Sequence, residues 1–219
     1  RDADTINTEL MIADLDSVEK RITSLEKRAK SGNKESKKLV NVLEPVAQAL
    51  REGRPARSVV FSGDELKLFH QQQLLTSKPV LYVCNVSEED ASDGNHYTRA
   101  VAQMAADEGA PYIVISAEIE SEIAQLPTVA DKTEFLAGIG LDEPGLARLL
   151  QAGYNLLELL TFFTVGPKEA RAWTVRKGAT APNAAGVIHT DFERGFIRAE
   201  TIAYEDYVEC KTETAAKEA

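Results

Sequence analysis

Two short polar segments are notable because each directly follows a run of apolar residues. Val80-Leu81-Tyr82-Val83-Cys84 leads into Asn85-Val86-Ser87-Glu88, and Tyr112-Ile113-Val114-Ile115 leads into Ser116-Ala117-Glu118. Short apolar runs rich in β-forming residues are typical of strands buried on both faces of a parallel sheet. Ligands of such sheets bind beyond the carboxyl ends of the strands, so the amide, carboxylate and hydroxyl groups at these ends predict a ligand site.

The two segments resemble the base-binding loops of P-loop GTPases, which carry Asn-Lys-x-Asp after one strand and Ser-Ala-x after the next. In those proteins the Asn ties the base loop to the phosphate loop and reaches a ring nitrogen. The acid accepts hydrogen bonds from the base edge, and the Ser-Ala backbone closes the pocket. The resemblance implies a nucleotide-base site formed by Asn85, Val86, Glu88, Ser116 and Ala117.

The departures from Asn-Lys-x-Asp affect the choice of base. Guanine presents two adjacent donors that a short Asp can accept together, whereas adenine presents one exocyclic amine beside a ring acceptor. Glu88 is one methylene longer than Asp, and Val86 replaces the Lys whose stem covers the base. A site built to accept hydrogen bonds from the two guanine donors rejects bases that lack them, and a site without that geometry no longer excludes adenine. We therefore expect a preference for adenine, or at least the loss of strict guanine preference.

The elements that must position these loops form a strand–helix–strand unit. A helix around Tyr97 to Glu108 lies between the two apolar runs, and further helices are predicted from Ser62 to about Leu75 and from about Glu143 to Leu157. A parallel pair of strands needs a crossover of this kind, so the two polar segments should meet at one edge of a sheet.

The first 50 residues predict two helices joined by a short turn. An apolar seam repeats with alternating spacings of four and three, which keeps it on one helix face: Met11, Leu15, Val18, Ile22, Leu25 and Ala29. Ser31-Gly32-Asn33 breaks this run, and a second apolar stripe follows at Val40, Leu43, Ala47 and Leu50. Helices joined by so short a break pack antiparallel, so we expect a helical hairpin.

The C-terminal stretch has the pattern of a small α+β module. Ala170 to Val175 and Phe196 to Tyr204 alternate like half-exposed strands. A helix is predicted between them from about Thr180 to Phe192, with Thr180 as its N-cap and Pro182 in its first turn.

Three separate segments carry a more specific resemblance. Lys78 to Glu88 looks like the base-recognition segment of the YchF (Obg-like ATPase) family, which has this Asn-x-x-Glu variant. Glu9 to Leu15 resembles the entry to that family's inserted coiled-coil domain. Arg171 to Val175, Gly178 to Pro182 and His189 to Ala199 are similar to its C-terminal TGS domain, a ubiquitin-like β-grasp module. The similarity thus spans essentially the whole chain, in the family's order.

The resemblance implies an α/β fold: the carboxyl-terminal part of a P-loop GTPase-type parallel sheet, an inserted helical coiled-coil hairpin and a C-terminal β-grasp (TGS) domain. On this basis we divide the chain at residues 1–77, 78–154 and 155–219. The resemblance also implies binding of ATP or GTP, hydrolysis of ATP to ADP and phosphate in the intact protein, a requirement for Mg²⁺, and association with ribosomes or structured RNA.

The sequence lacks one part of the family pattern. No Gly-x-x-x-x-Gly-Lys-[Ser/Thr] occurs in the 219 residues, so the phosphate cradle, its lysine and the Mg²⁺-binding hydroxyl are absent from this chain. The family places these groups upstream of Arg1, and the last β-grasp strand would follow Ala219. We therefore expect a fragment that does not hydrolyse ATP alone, and we assign no catalytic or metal-binding residue within it.

Composition and charge limit the remaining possibilities. The net charge of −10 argues against a surface that coats nucleic acid as a whole, but the first 57 residues carry 12 Lys/Arg against 10 Asp/Glu. A basic cluster flanks the predicted hairpin turn: Lys27, Arg28, Lys30, Lys34, Lys37 and Lys38. It is either a solvated helix end or a contact surface for RNA, DNA or an acidic protein. The second reading supports an alternative function, a non-catalytic ribosome- or RNA-binding module that uses the hairpin tip and the TGS domain.

The expected compartment is the cytoplasm. Cys84 and Cys210 form no disulfide framework or metal spacing, and the sequence has neither a signal peptide nor an apolar stretch long enough to cross a membrane. Cys84 is expected to be an inert, buried thiol, because no cation near it in sequence would lower its pKa. Oligomeric state is not predicted.

Overall fold

The computed structural model describes residues 2–166 and 168–218. In chain order its elements are α1 (Asp2–Lys30), α2 (Lys34–Arg51), α3 (Gly63–Gln71), β1 (Tyr82–Asn85), α4 (His96–Glu108), β2 (Tyr112–Ile115), α5 (Ala117–Gln125), α6 (Val129–Gly138), α7 (Gly145–Leu156), β3 (Leu159–Val165), β4 (Ala170–Arg176), α8 (Ala181–Ile188), α9 (Thr190–Arg194), α10 (Tyr204–Cys210) and α11 (Glu213–Glu218). They form two compact units that divide between Ala152 and Gly153. Within the described ranges, no helix is long and apolar enough to cross a membrane.

The first two helices form the predicted hairpin, and the polar break lies where the sequence indicates. The Asn33 side chain accepts a hydrogen bond from the Ser36 backbone N–H at 2.9 Å and so caps α2. The seam residue Val18 is fully buried against α2, whose buried stripe includes Leu43 and Val46. Phe69 of α3 joins the same core, so the hairpin root is a three-helix cluster.

The helix α3 is shorter than the predicted Ser62–Leu75. It ends at Gln71 because Gln73 adopts a left-handed conformation with φ of 55°, which a continuing helix does not allow. A short 3₁₀ turn at Leu75–Ser77 then leads to the first strand.

A buried carboxylate joins this 3₁₀ turn to α1. Asp14 is 3% exposed and accepts hydrogen bonds from Leu75 N at 2.9 Å, Thr76 N at 2.7 Å and Thr76 Oγ1 at 2.6 Å. Asp14 was not among the residues predicted from the sequence to have a role. The sequence nevertheless indicates a buried polar contact at Asp14. It lies three residues after Met11 and four before Val18, on the apolar seam face where a carboxylate needs buried partners.

The strand–helix–strand unit has the predicted parallel arrangement. β1 pairs with β2 in a register that joins Tyr82 to Tyr112 and Asn85 to Ile115, and α4 is the crossover. The prediction that both strands are buried on both faces was wrong: Val83 and Tyr112 are each 45% exposed. Within the described residues these two strands form the whole sheet, so its surfaces are only partly covered.

The second unit contains an antiparallel pair of strands, of which only the second was predicted from the sequence. β3 was not predicted; it pairs with β4 so that Phe162 lies opposite Trp173. The Trp173 indole N–H donates to Thr164 Oγ1 at 2.9 Å, and the Arg171 guanidinium lies 4.2 Å from the centre of the Trp173 ring. β3 became a strand because β4 supplies the backbone hydrogen-bond partners, which local sequence does not reveal.

Two further predictions for this unit were wrong. Residues 196–203 form no strand, and Ile197 is 90% exposed; the alternating pattern there finds no partner strand within the described residues, and α10 follows it. The single helix predicted from Thr180 to Phe192 is interrupted at His189, whose backbone is extended. The His189 Nδ1 accepts a hydrogen bond from Asp191 N at 3.2 Å, so this histidine caps α9.

Candidate functional site

The two predicted loops meet at the carboxyl ends of β1 and β2. The Asn85 Oδ1 accepts a hydrogen bond from the Ala117 backbone N–H at 3.0 Å. One residue further, the Val86 N–H donates to the Ile115 carbonyl at 2.9 Å, which continues the parallel ladder past the last paired residues. Both segments are therefore tied together by a side chain and by the backbone.

Ser116 is the only residue between β2 and α5, so it sets the angle at which strand passes into helix. It is 3% exposed, and its Oγ accepts a hydrogen bond from Ile119 N at 3.5 Å as the N-cap of α5. The hydroxyl is thus directed into the helix start. Ala117 is exposed and presents its backbone at the edge of the site.

Glu88 lies beyond these contacts, at the start of a 3₁₀ turn spanning Glu88–Asp90, and is exposed. Repulsion from Glu122 raises the pKa of the Glu88 carboxyl, with smaller contributions in the same direction from partial desolvation and from Glu118. In the described part of the chain no hydrogen bond joins Glu88 to Asn85, Val86, Ser116 or Ala117. Its carboxylate therefore lies in an acidic surrounding and is not fixed by the loop contacts.

An apolar cleft of about 250 Å³ adjoins the base loop. Its lining includes Cys84, Asn85, Val86, Tyr97 and Met104. The Cys84 side chain is half-buried, and burial raises the pKa of its thiol, so the thiol form is favoured over the reactive thiolate.

Three residues outside the predicted site contact the elements that carry it, β2 and α5. The Glu120 Oε1 accepts a hydrogen bond from Gly145 N at 2.6 Å, and the Arg148 guanidinium donates to the Val114 carbonyl at 3.1 Å. Glu120 lies in the first turn of α5. Its partner is 25 positions away, and no local pattern identifies a contact over that separation.

The six cations of the predicted basic cluster lie together around the hairpin turn. Lys27, Arg28 and Lys30 occupy the last turn of α1, and Lys34, Lys37 and Lys38 lie at the start of α2. All six are exposed. Among the residues that the structure describes, none of them forms an ion pair, so their charges face solvent.

The described residues offer no ready metal centre. No group of three or more His, Cys, Asp or Glu side chains in these ranges is arranged to hold a metal ion. Within these ranges the side chains therefore supply no ready-made set of Mg²⁺ ligands.

Comparison with known proteins by family model, by sequence and by structure finds relatives of one family. A family model named YchF-GTPase_C, described as "Protein of unknown function (DUF933)", matches residues 159–219. The "Ribosome-binding ATPase YchF" of Haemophilus influenzae is 52% identical over 218 residues, and that of Bacillus subtilis is 49% identical over 220 residues. A solved structure, "Structure of the Schizosaccharomyces pombe YchF GTPase", superposes with a TM-score of 0.86 at 34% identity.

These matches cover the whole chain but only part of each relative. Each of the three relatives matches over 100% of this chain, whereas the chain spans 60% of the length of each. The shared fold is an α/β fold similar to that of the yeast protein.

Proposed function

Because this chain belongs to the YchF family, we propose that it supplies the base-binding part of an ATP site. In this proposal the intact protein hydrolyses ATP to ADP and phosphate, and Asn85, Val86, Glu88, Ser116 and Ala117 surround the base. The observation that carries it is the 3.0 Å hydrogen bond between Asn85 Oδ1 and Ala117 N, which joins the two loops that a nucleotide base would contact. The inserted hairpin would occupy residues 1–77, the nucleotide-binding part 78–154 and the TGS domain 155–219.

Selectivity for adenine follows from the same loops. Glu88 extends one methylene further than the Asp of guanine-specific loops, and repulsion from the neighbouring Glu122 carboxylate raises its pKa. Val86 lacks the long aliphatic stem that a Lys would lay across the base. The names of the relatives differ on this point, since the bacterial proteins are called ATPases and the yeast structure is called a GTPase. The relative affinity for ATP and GTP is therefore the measurement that tests the proposal most directly.

The test measures nucleotide affinity by calorimetry on the complete gene product. ATP should bind at least as tightly as GTP, and the double variant Glu88→Asp with Val86→Lys should shift the preference toward GTP. Glu89→Asp is the matched control, because Glu89 is the exposed neighbour in the same 3₁₀ turn. Strong GTP preference in the unaltered protein would overturn the assignment of the base site.

In this proposal the chain binds the base, and residues outside these 219 bind the phosphates and Mg²⁺. Phosphoryl transfer in P-loop nucleotidases depends on the phosphate loop and on Mg²⁺ for positioning and charge stabilisation. This chain contains neither the phosphate-loop motif nor, in its described ranges, a group of metal ligands. A purified sample of the 219 residues should therefore release no phosphate from ATP above the buffer rate. Measurable turnover would mean that the catalytic groups are misassigned.

A second candidate function is a non-catalytic module that docks on ribosomes or structured RNA through the hairpin tip and the TGS domain. The observation that favours it is the position of Lys34, Lys37 and Lys38 at the amino end of α2. Cations there oppose the helix dipole, so these lysines do not serve helix stability. An exposed cluster of this kind can neutralise phosphates and release counterions. A ribosome-bound role would place the protein in the cytoplasm.

Co-sedimentation with ribosomes at several salt concentrations tests the second candidate. Changing Lys34, Lys37 and Lys38 to Glu should weaken binding most at low salt, because the lost contacts are electrostatic. The matched control changes Lys20, Lys67 and Lys132 to Glu, which alters net charge equally away from the tip. If the tip variant and the control variant both co-sediment with ribosomes as well as the parent does, the tip is only a solvated helix end. The C-terminal unit then becomes the docking candidate.

A further inference from the structure

The first turn of α7 contacts both sides of the Ser116–Ala117 turn. Before the turn, Arg148 donates to the carbonyl of Val114 in β2 at 3.1 Å. After the turn, the Gly145 N–H donates to the Glu120 carboxylate in α5 at 2.6 Å. Gly145 and Arg148 are three residues apart in a helix and so share one face. We call Glu120, Gly145 and Arg148 the α7 brace.

The close approach of α7 depends on the absence of a side chain at Gly145. Gly145 is buried, and a Cβ there would lie 2.9 Å from Ile115 Cγ2 and 2.9 Å from Glu120 Oε1. Both distances are shorter than real Cβ contacts allow, so a larger residue at position 145 would require Ile115, Glu120 or α7 itself to shift. The glycine therefore keeps the brace in contact with the residue that immediately precedes the turn.

The turn needs such support because α5 is short and begins immediately after Ser116. Nine residues are too few for a helix to hold its own direction, so tertiary contacts must fix it. The core contacts of Ile119 and Ile123 hold one face of α5. The Glu120 carboxylate adds a charge-assisted bond to the amino end of α7, where the helix dipole favours a negative group.

We propose that Glu120 and Arg148 are positioning residues for base recognition: they hold the Ala117 N–H against Asn85 and so keep the base pocket in its binding geometry. This inference rests on the proposed base site. A residue that only stabilises the fold would affect every ligand through the population of folded protein. A residue that positions the base pocket should affect ligands that carry a base and spare those that do not.

The experiment compares ATP with inorganic tripolyphosphate, which has the phosphate chain without a base, by calorimetry on the complete gene product. Glu120→Ala and, separately, Arg148→Met should each weaken ATP binding about three- to tenfold, the fold-change that corresponds to one hydrogen bond of ordinary net strength. Tripolyphosphate affinity should change less than about twofold, within the scatter expected of a change that spares the phosphate contacts. Glu120→Gln keeps an acceptor for the Gly145 N–H and should restore ATP affinity. Glu134→Ala removes an exposed carboxylate from the neighbouring helix α6 and is the matched control.

The outcomes separate this inference from the function on which it rests. If the unaltered protein binds ATP no better than tripolyphosphate, the base site itself is wrong. If ATP is preferred but both brace variants keep that preference, the base site stands and the brace has no positioning role. Equal weakening of ATP and tripolyphosphate by both variants would also overturn the inference, because it would indicate a purely structural effect.

Discussion

Replacing Asp14 tests whether one buried carboxylate fixes the root of the hairpin. In Asp14→Ala the backbone N–H groups of Leu75 and Thr76 lose their acceptor, and Thr76 is only 4% exposed. A buried donor left without a partner costs about 1–3 kcal/mol. Two such donors, partly offset because the carboxylate no longer has to be desolvated, give a loss of about 2–4 kcal/mol in the free energy of unfolding. That is a large share of the roughly 5–15 kcal/mol of a typical domain.

Urea unfolding followed by far-ultraviolet circular dichroism measures this loss. With a denaturant slope of about 2 kcal/mol per molar urea, the midpoint should fall by about 1–2 M. Asp14→Asn retains one carbonyl acceptor but turns an amide donor toward one of the N–H groups, so its midpoint should lie between those of the parent and Asp14→Ala.

Asp16→Asn is the matched control for this experiment. Asp16 lies on the same helix but is exposed, and its ion pair with Lys20 at 2.6 Å is a surface pair between residues four apart. Such pairs contribute only about 0.2–0.5 kcal/mol. If Asp14→Ala unfolds at the same urea concentration as Asp16→Asn, the three hydrogen bonds do not stabilise the root and the reasoning fails.

Two further predictions concern the surroundings of the base loops. Gly145→Ala should lower the free energy of unfolding by about 1–3 kcal/mol, because the new Cβ overlaps Ile115 and Glu120. Gly153→Ala in the same helix meets nothing within 4 Å and should instead stabilise by up to about 1 kcal/mol; equal effects in urea unfolding would contradict the packing argument. Glu122→Gln should lower the pKa of Glu88 in a carboxyl NMR titration, since repulsion from Glu122 is the largest cause of its elevation. Because folding raises the pKa of Glu88, the ionised carboxylate opposes folding at neutral pH. This destabilisation is lost as the pH falls through the raised pKa and below the unfolded value. An unchanged Glu88 titration in Glu122→Gln would refute Glu122 as the main cause of the raised pKa.

Local sequence patterns were sufficient where an element depends on its own residues. The spacing of the seam through Val18 and the polar break before α2 predicted the hairpin, since both signals lie within the helices concerned. The two apolar runs predicted a parallel pair of strands, and β2 occupies the predicted residues Tyr112–Ile115. Because parallel strands end at one edge, the meeting of the loops at Asn85 and Ala117 could also be anticipated.

Local patterns failed where partners distant in sequence decide the structure. β3 became a strand through its pairing with β4, whereas residues 196–203 have an alternating pattern but no partner strand in the described ranges. The brace was not foreseen, because Glu120 and Gly145 are ordinary residues until the fold brings them together. Asp14 was different, since a carboxylate on an apolar helix face already indicates a buried polar contact.

The only tryptophan of the chain gives the second unit an optical reporter of its own. Trp173 is hydrogen-bonded to Thr164 and covered by the Arg171 guanidinium, so loss of the β3–β4 pairing changes both the polarity and the charge around the indole. Residues 1–152 contain no tryptophan and contribute to helical dichroism without contributing to indole emission. Unlabelled protein can therefore show whether emission and dichroism change at one denaturant concentration, as a single cooperative transition requires, or at two.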